Sequence, residues 1–329
     1  MTLTRRSVLL AALPLLAPAS PTRAQRPPRV ARVGILSASV APLSGERWPV
    51  HRIFVERLRD LGWIEGVNLQ LEFRHGQGTA AGIAAAAAEL VALQPDVLLG
   101  AGTPAIRALL TATRTVPIVM AGAGDPVATG LVASLARPGG NLTGVSLLGQ
   151  EIVPKALELL RELLPKARRI DLAGSATNPS NDFFARTWAD AVRAAGIEGQ
   201  MVIVPRVEDI ESMIAAIRAD AVIVLPDPMY NPARARLLAV AAARRLPVAN
   251  TQGRDYAAAG SLMSYSVNFD DLFRQAAVYV DRILRGANPA ETPVEQPSRY
   301  ELIINLKTAR ALGIDVPRAL LLRADEVIE

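Results

Sequence analysis

The sequence predicts an α/β protein made of two Rossmann-like lobes, each built on a parallel β-sheet. Strand-like apolar runs alternate with helical patterns along the 329 residues, which is typical of parallel sheets covered by helices on both faces. The pattern also occurs twice, in the same order. Three pairs of segments match between the halves: "PDVLLGAGTP" with "ADAVIVLPDP", "VPIVMAGAGDP" with "LPVANTQGRD", and "GGNLTGVS" with "GSLMSYS".

Each half contains its own series of elements. In the first half, one face of the helix "WPVHRIFVERLRDLGW" is apolar, and "GIAAAAAELVAL" consists of strong helix formers. The predicted strands of this half are "ARVGILSAS", "NLQLEFRHG", "PDVLLGAG", "VPIVMAGAGDP" and "GGNLTGVSL". In the second half, helices are predicted over 182–195, 208–217 and "ARARLLAVAAARR". They separate the strands "RRIDLAGS", "QMVIVPRV", "ADAVIVLPDPM", "LPVANTQGRD" and "GSLMSYS".

The N-terminus has the pattern of a secretory signal peptide over residues 1–24. Arg5 and Arg6 precede an apolar stretch, and small residues before Ala24 fit a cleavage site there. A buried N-terminal helix is the alternative. "TRRSVLL" also resembles a twin-arginine signal, and the general export pathway stays open. No cysteine follows the apolar run, so we expect a free periplasmic protein rather than a lipoprotein.

Composition excludes several classes of function. Without residues 1–24 the chain has 33 Lys and Arg against 31 Asp and Glu, a net charge of +2, and no long basic run indicates nucleic-acid binding. The absence of cysteine excludes disulfides and thiolate chemistry. Two histidines, neither expected at a sheet edge, offer little for metal binding or catalysis. We expect no metal, no cofactor, no enzymatic activity and a monomer.

The loops that follow the strands predict a cleft. Right-handed crossovers place these loops at the carboxyl edges of their sheets, where open α/β sheets bind ligands. One lobe would contribute "SASV", "GAGTP" and "GAGDP", and the other "GSATNPSN", "LPDPMYN" and "NTQGRD". Two such edges facing each other are typical of a hinged binding protein.

The "GAGTP" loop is a candidate anion site. Thr103 is placed to cap a helix with Pro104 as its first residue, and free N–H groups there favour a ligand carboxylate. Helix capping without any ligand is the alternative. Gly100, Gly102 and Ala105 also spell a dinucleotide fingerprint, but the strand before them is the third of its lobe rather than the first.

Other polar residues follow strands in both halves. Asp125 and Asp227 each precede a proline and are candidates to accept from a ligand ammonium, although Asp-Pro is also ordinary turn chemistry. Phe184 and Trp188, four residues apart, favour core packing. The remaining candidate ligand contacts are Ser37, Gly102, Asn178, Ser180, Asn181 and Tyr265. Ser37 would equally suit a solvated loop, and Tyr265 a hinge-packing position. Tyr230 and Tyr256 are weaker aromatic candidates.

Several of these segments together resemble a known family. "GAGTPA", "GDPVATGLV", "PGGNLTGVS" and "ELIINLKTARALGIDVPRALLLRADEVIE" resemble substrate-binding proteins of ABC transporters, of the tryptophan/tyrosine transport-like type. The resemblance covers essentially the whole mature chain. It implies the type I periplasmic-binding fold, strands that cross between the lobes, and ligand contact at Thr103 and Ala105.

The resemblance also implies how the chain is divided. Residues 29–147 and 260–290 would form the first lobe, and residues 148–259 and 291–329 the second. The predicted function is delivery of a small carboxylated, amino-acid-like ligand to an ABC permease in the inner membrane. A periplasmic receptor that presents the ligand to a signalling partner is the alternative, and a periplasmic enzyme is a more distant one.

Overall fold

Two β-sheets with helices on both faces organise the chain. The computed structural model describes residues 30–41, 49–147, 149–297 and 299–329, so the predicted signal peptide lies outside the described residues. One sheet has five strands and the other has seven. The predicted α/β architecture, with parallel sheets in two lobes, is confirmed.

The first sheet has the strand order β2-β1-β3-β4-β5, and its strands are parallel. The helices between them form because their apolar residues recur at helical spacing and face the sheet. The elements are β1 (Ala31–Ser37), α1 (Pro49–Asp60), β2 (Leu69–His75), α2 (Ala80–Ala92), β3 (Val97–Ala101), α3 (Thr103–Ala112), β4 (Ile118–Ala123) and β5 (Leu142–Ser146).

The second sheet has the order β12-β11-β10-β9-β8-β6-β7. Strand β11 runs antiparallel to β10, and the other pairs are parallel. Its elements are α4 (Gly149–Leu163), β6 (Ile170–Ser175), α5 (Asn181–Ala195), β7 (Met201–Val204), α6 (Ile210–Ala216), β8 (Ala221–Val224), α7 (Arg234–Ala243), β9 (Val248–Asn250), α8 (Arg254–Ala258), β10 (Met263–Val267), α9 (Phe269–Leu284), β11 (Tyr300–Asn305), α10 (Leu306–Leu312), α11 (Arg318–Leu321) and β12 (Glu326–Ile328). Short 3₁₀ helices cover Val207–Asp209 and Pro228–Ala233.

Each sheet has an apolar core on both of its faces. In β1, Ile35 packs in the cluster formed with α1 and α9, whereas Leu36 packs in the cluster formed with α2 and α3. Successive side chains of a strand point to opposite faces, so both must be apolar when both faces are covered. In β8, Ile223 and Val224 divide in the same way between two clusters.

The chain crosses between the sheets later than predicted. Residues 263–267 form β10, which pairs with β9 and β11 of the second sheet, so residue 260 is not the start of a first-lobe segment. Helix α9 then packs against the first sheet, where Phe273 and Tyr279 join its core. Trp63 Nε1 donates to Asp281 at 2.8 Å, which connects the turn after α1 to α9.

The proline-rich connector after α9 also stays with the first sheet. Ser146 N–H donates to the Glu295 carbonyl at 3.0 Å, and Glu295 N–H donates to the Gly144 carbonyl at 3.0 Å. Val294 is buried in the core of the same sheet. The predicted boundary at 290 therefore also falls too early, because residues up to about Glu295 cover the otherwise open edge of β5.

Candidate functional site

The carboxyl edges of the two sheets meet, and their loops touch. Ser180 Oγ donates to Thr103 Oγ1 at 3.2 Å across the gap between the sheets. A Cβ atom on Gly102 would lie 3.1 Å from Pro228 Cγ, and one on Gly124 would lie 3.2 Å from Ser180 Oγ. The loops after β3 and β4 thus lie directly against those after β6 and β8, and the two edges are in a closed arrangement.

Thr103 does not cap helix α3 as predicted. The cap position belongs to Gly102, whose φ of 82° and ψ of 159° are suited to glycine alone, and the helix starts at Thr103. Because the turn is completed one residue earlier, the Thr103 hydroxyl is available for other contacts. It accepts from Gly124 N–H at 3.0 Å as well as from Ser180.

The "SATNPSN" loop holds Ser180 toward the first sheet. Ser180 occupies the cap position of α5 without a side-chain capping bond. Instead Asn178 Oδ1 accepts from Ser180 N–H at 3.0 Å, so Asn178 orients the loop. Asn181 faces inward, since its Nδ2 donates to the Ser175 carbonyl at 2.7 Å and its Oδ1 lies close to Gly174. Ser180 and Asn178 belong to the contact region, whereas Asn181 fixes the start of the helix.

Asp227 is a deeply buried carboxylate at the end of β8. Its Oδ1 accepts from Met229 N–H at 2.8 Å, and its side chain is the cap of the 3₁₀ helix that follows. Its Oδ2 has no hydrogen-bond partner within the described part of the chain. Burial raises the pKa of Asp227 from 3.8 to about 6, and the Met229 N–H and the side chains of Asn178 and Ser175 partly oppose this rise.

Two buried tyrosines lie behind Asp227. Tyr230 and Tyr256 are both fully buried, and neither hydroxyl has a hydrogen-bond partner among the described residues. Burial raises the pKa of both phenols, and the charge of Asp227 adds to the rise. Gln252 connects this region, because its Oε1 accepts from Asp227 N–H at 3.4 Å. The sequence predicted both tyrosines only as weaker candidates for ligand contact, and it did not predict a role for Gln252.

Five other residues singled out from the sequence have mainly structural contacts. Ser37, at the end of β1, is buried and accepts from Ser39 N–H at 3.3 Å. Ala105 is fully buried in the core formed with α2 and α3. Asp125 Oδ1 accepts from Ala128 N–H at 3.0 Å and thereby caps its own turn. The Phe184 and Trp188 side chains pack in the core of the second sheet as predicted.

Tyr265 lies away from these loops. Its ring stacks on that of Tyr300 with centroids 5.2 Å apart, where β10 and β11 run side by side. Ser264 and Ser266 point to the opposite face of β10, and their hydroxyls lie 3.5 Å apart. The hinge-packing alternative describes Tyr265 better than ligand contact does.

The histidines and Arg254 are the remaining candidate groups near the two sheet edges. His75 is the last residue of β2 and so lies at the carboxyl edge of its sheet, contrary to prediction; its ring centroid is 6.3 Å from that of His51. Arg254 forms a salt bridge with Glu326 at 2.8 Å. No group of three or more His, Asp or Glu side chains suited to a metal ion occurs in the described ranges.

Comparison with known families identifies the chain. A family model described as "ABC transporter substrate binding protein" matches residues 50–328. The chain belongs to this family. The resemblance noted from the sequence is thus confirmed, and the family is one of substrate-binding proteins rather than of enzymes.

Individual relatives of this substrate-binding protein agree with the family assignment. A tyrosine-binding protein of Clostridioides difficile (strain R20291) is 26% identical over 264 residues, which cover 79% of this chain and 75% of the relative. A crystal structure of an ABC domain from Streptococcus pneumoniae in complex with L-Trp has a TM-score of 0.81 and 26% identity, and covers 91% of this chain and 99% of that chain. A conserved domain protein from Vibrio cholerae has a TM-score of 0.84 at 28% identity, over 91% of this chain and 100% of that one.

These likenesses confirm the predicted type I periplasmic-binding fold. No helix among the described residues of this substrate-binding protein is long and apolar enough to cross a membrane.

Proposed function

We propose that this protein is the extracytoplasmic component of an ABC importer and binds a small carboxylated, amino-acid-like ligand between its two sheet edges. The observation that carries the proposal is the meeting of those edges: Ser180 bonds to Thr103 across them, beside a buried carboxylate with a free oxygen at Asp227. Open α/β sheets bind their ligands at this edge, and two edges that close on each other enclose the ligand by a hinge motion.

The ligand class follows from the chemistry of the loops and from the relatives. Helices α3 and α5 begin at the contact, and their first N–H groups favour an anion. The hydroxyl groups of Thr103 and Ser180 add neutral hydrogen-bond donors for a ligand carboxylate, so the proposed site does not require a lysine or an arginine. A relative named for tyrosine binding and a structural neighbour in complex with L-Trp support an amino acid as the ligand.

The proposed ligand contacts are Thr103, Ser180, Asn178 and Asp227, with Gly102 allowing the close approach of the lobes. Ser37, Ala105 and Asp125 stay candidate contacts, since Ser37 ends β1, Ala105 lies in the first turn of α3, and Asp125 follows β4 at the same edge of the sheet. Asn181 and Tyr265 are left out, since their side chains bond or stack elsewhere.

Location and partner complete the proposal. Residues 1–24 would direct export, and the mature protein would act as a monomer that delivers its ligand to an ABC permease. Sequencing the N-terminus of the exported protein tests the cleavage after Ala24.

The binding proposal is tested on the mature protein. We expect L-tyrosine or L-tryptophan, within a panel of L-amino and organic acids, to raise the unfolding temperature in a concentration-dependent way. Thr103→Val should weaken binding about tenfold or more, because it leaves Gly124 N–H and the Ser180 hydroxyl without an acceptor. Thr111→Val is the matched control, since Thr111 lies on the same helix but bonds only to the Arg107 carbonyl at 3.0 Å.

Absence of binding by every acid in the panel, after bound ligand has been removed by unfolding and refolding, would contradict the proposed ligand class. Equal affinities of the Thr103 and Thr111 variants would contradict the placement of the carboxylate.

A further inference from the structure

The segments that enter the strands of the second sheet are rich in positive charge. They lead from α4, α5, α6 and α7 into β6, β7, β8 and β9, at the amino edge of the sheet, opposite to the edge where the lobes meet. Their charged residues are six basic and two acidic ones: Lys166, Arg168, Arg169, Arg218, Arg244 and Arg245 against Glu198 and Asp220. These segments therefore have a surplus of four positive charges, although the chain without residues 1–24 has a net charge of only +2.

The first sheet has no such surplus at the corresponding place. Its three equivalent segments join α1, α2 and α3 to β2, β3 and β4. They contain two acidic residues and one basic residue, Glu65, Asp96 and Arg114. Because the two halves repeat one architecture and differ in this charge, the α/β fold by itself does not require the surplus.

Hydrogen bonds join the basic segments into one surface. Asp220 Oδ2 accepts from the backbone N–H groups of Arg168 and Arg169 at 2.7 and 3.0 Å, so the segments before β6 and β8 are neighbours. Arg244 donates to the Ile217 carbonyl at 2.9 Å, which places the segment before β9 beside the one before β8. Neighbouring strands lie about 4.8 Å apart, so the entries to β9, β8, β6 and β7 extend over about 15 Å. We call the six basic residues of this surface the basic end.

Three arginines of the basic end also stabilise helix ends. Arg218 and Arg244 donate to the last carbonyls of α6, and Arg245 donates to the Leu312 carbonyl at the end of α10. Such contacts satisfy free carbonyls at a helix C-terminus. They use only part of the five N–H donors of each guanidinium, and all three side chains are exposed. The remaining donors are therefore accessible to an anionic partner.

Helix capping does not account for Lys166 and Arg168. Both residues are exposed, and their side chains form no hydrogen bond or salt bridge within the described part of the chain. The nearby Arg193 already pairs with Asp190 at 3.0 Å, so that acid does not neutralise them. Unpaired like charges close together repel each other and attract an anionic partner from outside the chain.

We propose that the basic end binds the surface of a membrane that contains anionic phospholipids. Several Lys and Arg side chains spread over one surface are attracted by a layer of anionic headgroups. The rest of the mature chain is slightly negative, so the same membrane repels the other faces and orients the protein. A membrane is the anionic surface available to an extracytoplasmic protein, and the choice of partner therefore rests on the proposed location.

Binding through the basic end leaves the ligand loops free. The amino edge of the second sheet is opposite to the carboxyl edge, where Ser180 bonds to Thr103. The protein would rest on the membrane with its second lobe and keep the gap between its lobes accessible to ligand. This contact is separate from delivery to the permease, and we expect it to be independent of bound amino acid.

Flotation of the mature wild-type protein with lipid vesicles is the first experiment, and it requires no variant. The vesicles contain either phosphatidylcholine alone or an equal mixture of phosphatidylcholine and phosphatidylglycerol. At about 10 mM salt, where the Debye length is about 30 Å, binding to the mixed vesicles should be about tenfold stronger or more. At about 1 M salt, where the Debye length is about 3 Å, the difference should disappear.

A pair of double variants tests the position of the charge. Lys166→Glu with Arg168→Glu should weaken binding to the mixed vesicles about tenfold, because it removes the surplus without removing a side-chain contact of the chain. Arg59→Glu with Arg114→Glu is the matched control. Both of these arginines are exposed and unpaired in the described structure, and they lie at the amino edge of the first sheet. The control changes the net charge equally and should retain most of the binding.

Equal binding of the wild-type protein to both kinds of vesicle at low salt would overturn the proposal. An equal loss in both double variants would also overturn it, since net charge rather than the basic end would then control binding. Binding to double-stranded DNA without binding to vesicles would assign the basic end to a nucleic acid instead. Competition by inorganic phosphate at constant ionic strength would assign it to a small anion.

Amino-acid binding is measured on the same samples and keeps the two proposals distinguishable. Both double variants should bind the amino acid as the wild-type protein does, which also shows that they are folded. Vesicle binding without any amino-acid binding would remove the proposed ligand class and leave the basic end intact.

Discussion

The turns after β3 and β8 occupy equivalent places in the two halves and differ in one respect. Thr103 and Asp227 each follow a buried strand and precede a proline. The Thr103 oxygen accepts from Gly124 N–H and from Ser180, which leaves its own O–H group to donate to a ligand. Asp227 leaves Oδ2 without a partner in the described structure. The first turn therefore joins the two lobes and offers a ligand one neutral donor, whereas the second turn offers a negative charge.

The largest expected effect concerns the charge at the second turn. Asp227→Asn should stabilise the unliganded protein by about 3 kcal/mol at pH 8, since the rise in pKa from 3.8 to about 6 measures how strongly burial opposes the ionised form. The gain should disappear near pH 4, where Asp227 is protonated in the folded protein. Urea unfolding at both pH values measures it. A variant that is less stable at pH 8 would show that the carboxylate is bonded after all.

A second experiment concerns the glycine that brings the first turn against Pro228. Gly102→Ala should destabilise the protein by about 2 kcal/mol, because φ and ψ at this position are nearly restricted to glycine. It should also weaken ligand binding, since the new Cβ would crowd Pro228 on closure. Gly62→Ala is the control: Gly62 also has a positive φ, of 94°, but has no atom within 4 Å of its Cβ position. An equal loss of affinity in both variants would show that the contact between residue 102 and Pro228 does not control closure around the ligand.

The pH dependence of binding would sharpen the comparison further. An ammonium ligand needs Asp227 ionised, and the free protein takes up this proton below about pH 6. Affinity should therefore fall as the pH falls, by about tenfold between pH 7 and pH 5. Calorimetry at several pH values should show the slope in the wild-type protein and not in Asp227→Asn. A flat wild-type profile would mean that the ligand does not pair with this carboxylate.

The smallest expected effect compares satisfied and unsatisfied phenols. Tyr279→Phe should destabilise the protein by about 1 kcal/mol, the usual contribution of a buried hydrogen bond. Tyr230→Phe removes a hydroxyl that has no partner in the chain, so the unliganded protein should be equally or more stable. Thermal unfolding of both variants without ligand measures the difference. A larger loss for Tyr230→Phe would show that its hydroxyl is already bonded.

Local sequence patterns were sufficient to find the two turns. A buried strand followed by small residues and a proline places Thr103 and Asp227 at sheet edges without any tertiary information. The role of Thr103 as a helix cap was wrong by one residue because Gly102 adopts a conformation that only glycine tolerates. The orientation of Tyr265 was available from strand alternation, since Ser264 and Ser266 occupy the other face of the strand.

The remainder depended on tertiary contacts. Tyr230 follows Asp227 by three residues, but Gln252 and Tyr256 come from the segment after β9, and no spacing rule brings that segment to the turn after β8. The boundaries at 260 and 290 were misplaced for the same reason. The local sequence of β10 and of the connector near Glu295 does not indicate which sheet each segment joins. That choice depends on which sheet has an open edge at that place.

Helix α9 has a consequence for the order in which the protein can be completed. Seven of its side chains lie in the core of the first sheet: Leu272, Phe273, Ala276, Ala277, Tyr279, Val280 and Ile283. The ribosome makes these residues only after all but two strands of the second sheet have been synthesised. The half of the molecule that is translated first must therefore wait for late residues to cover one of its faces, and the second sheet is completed later still, by β11 and β12.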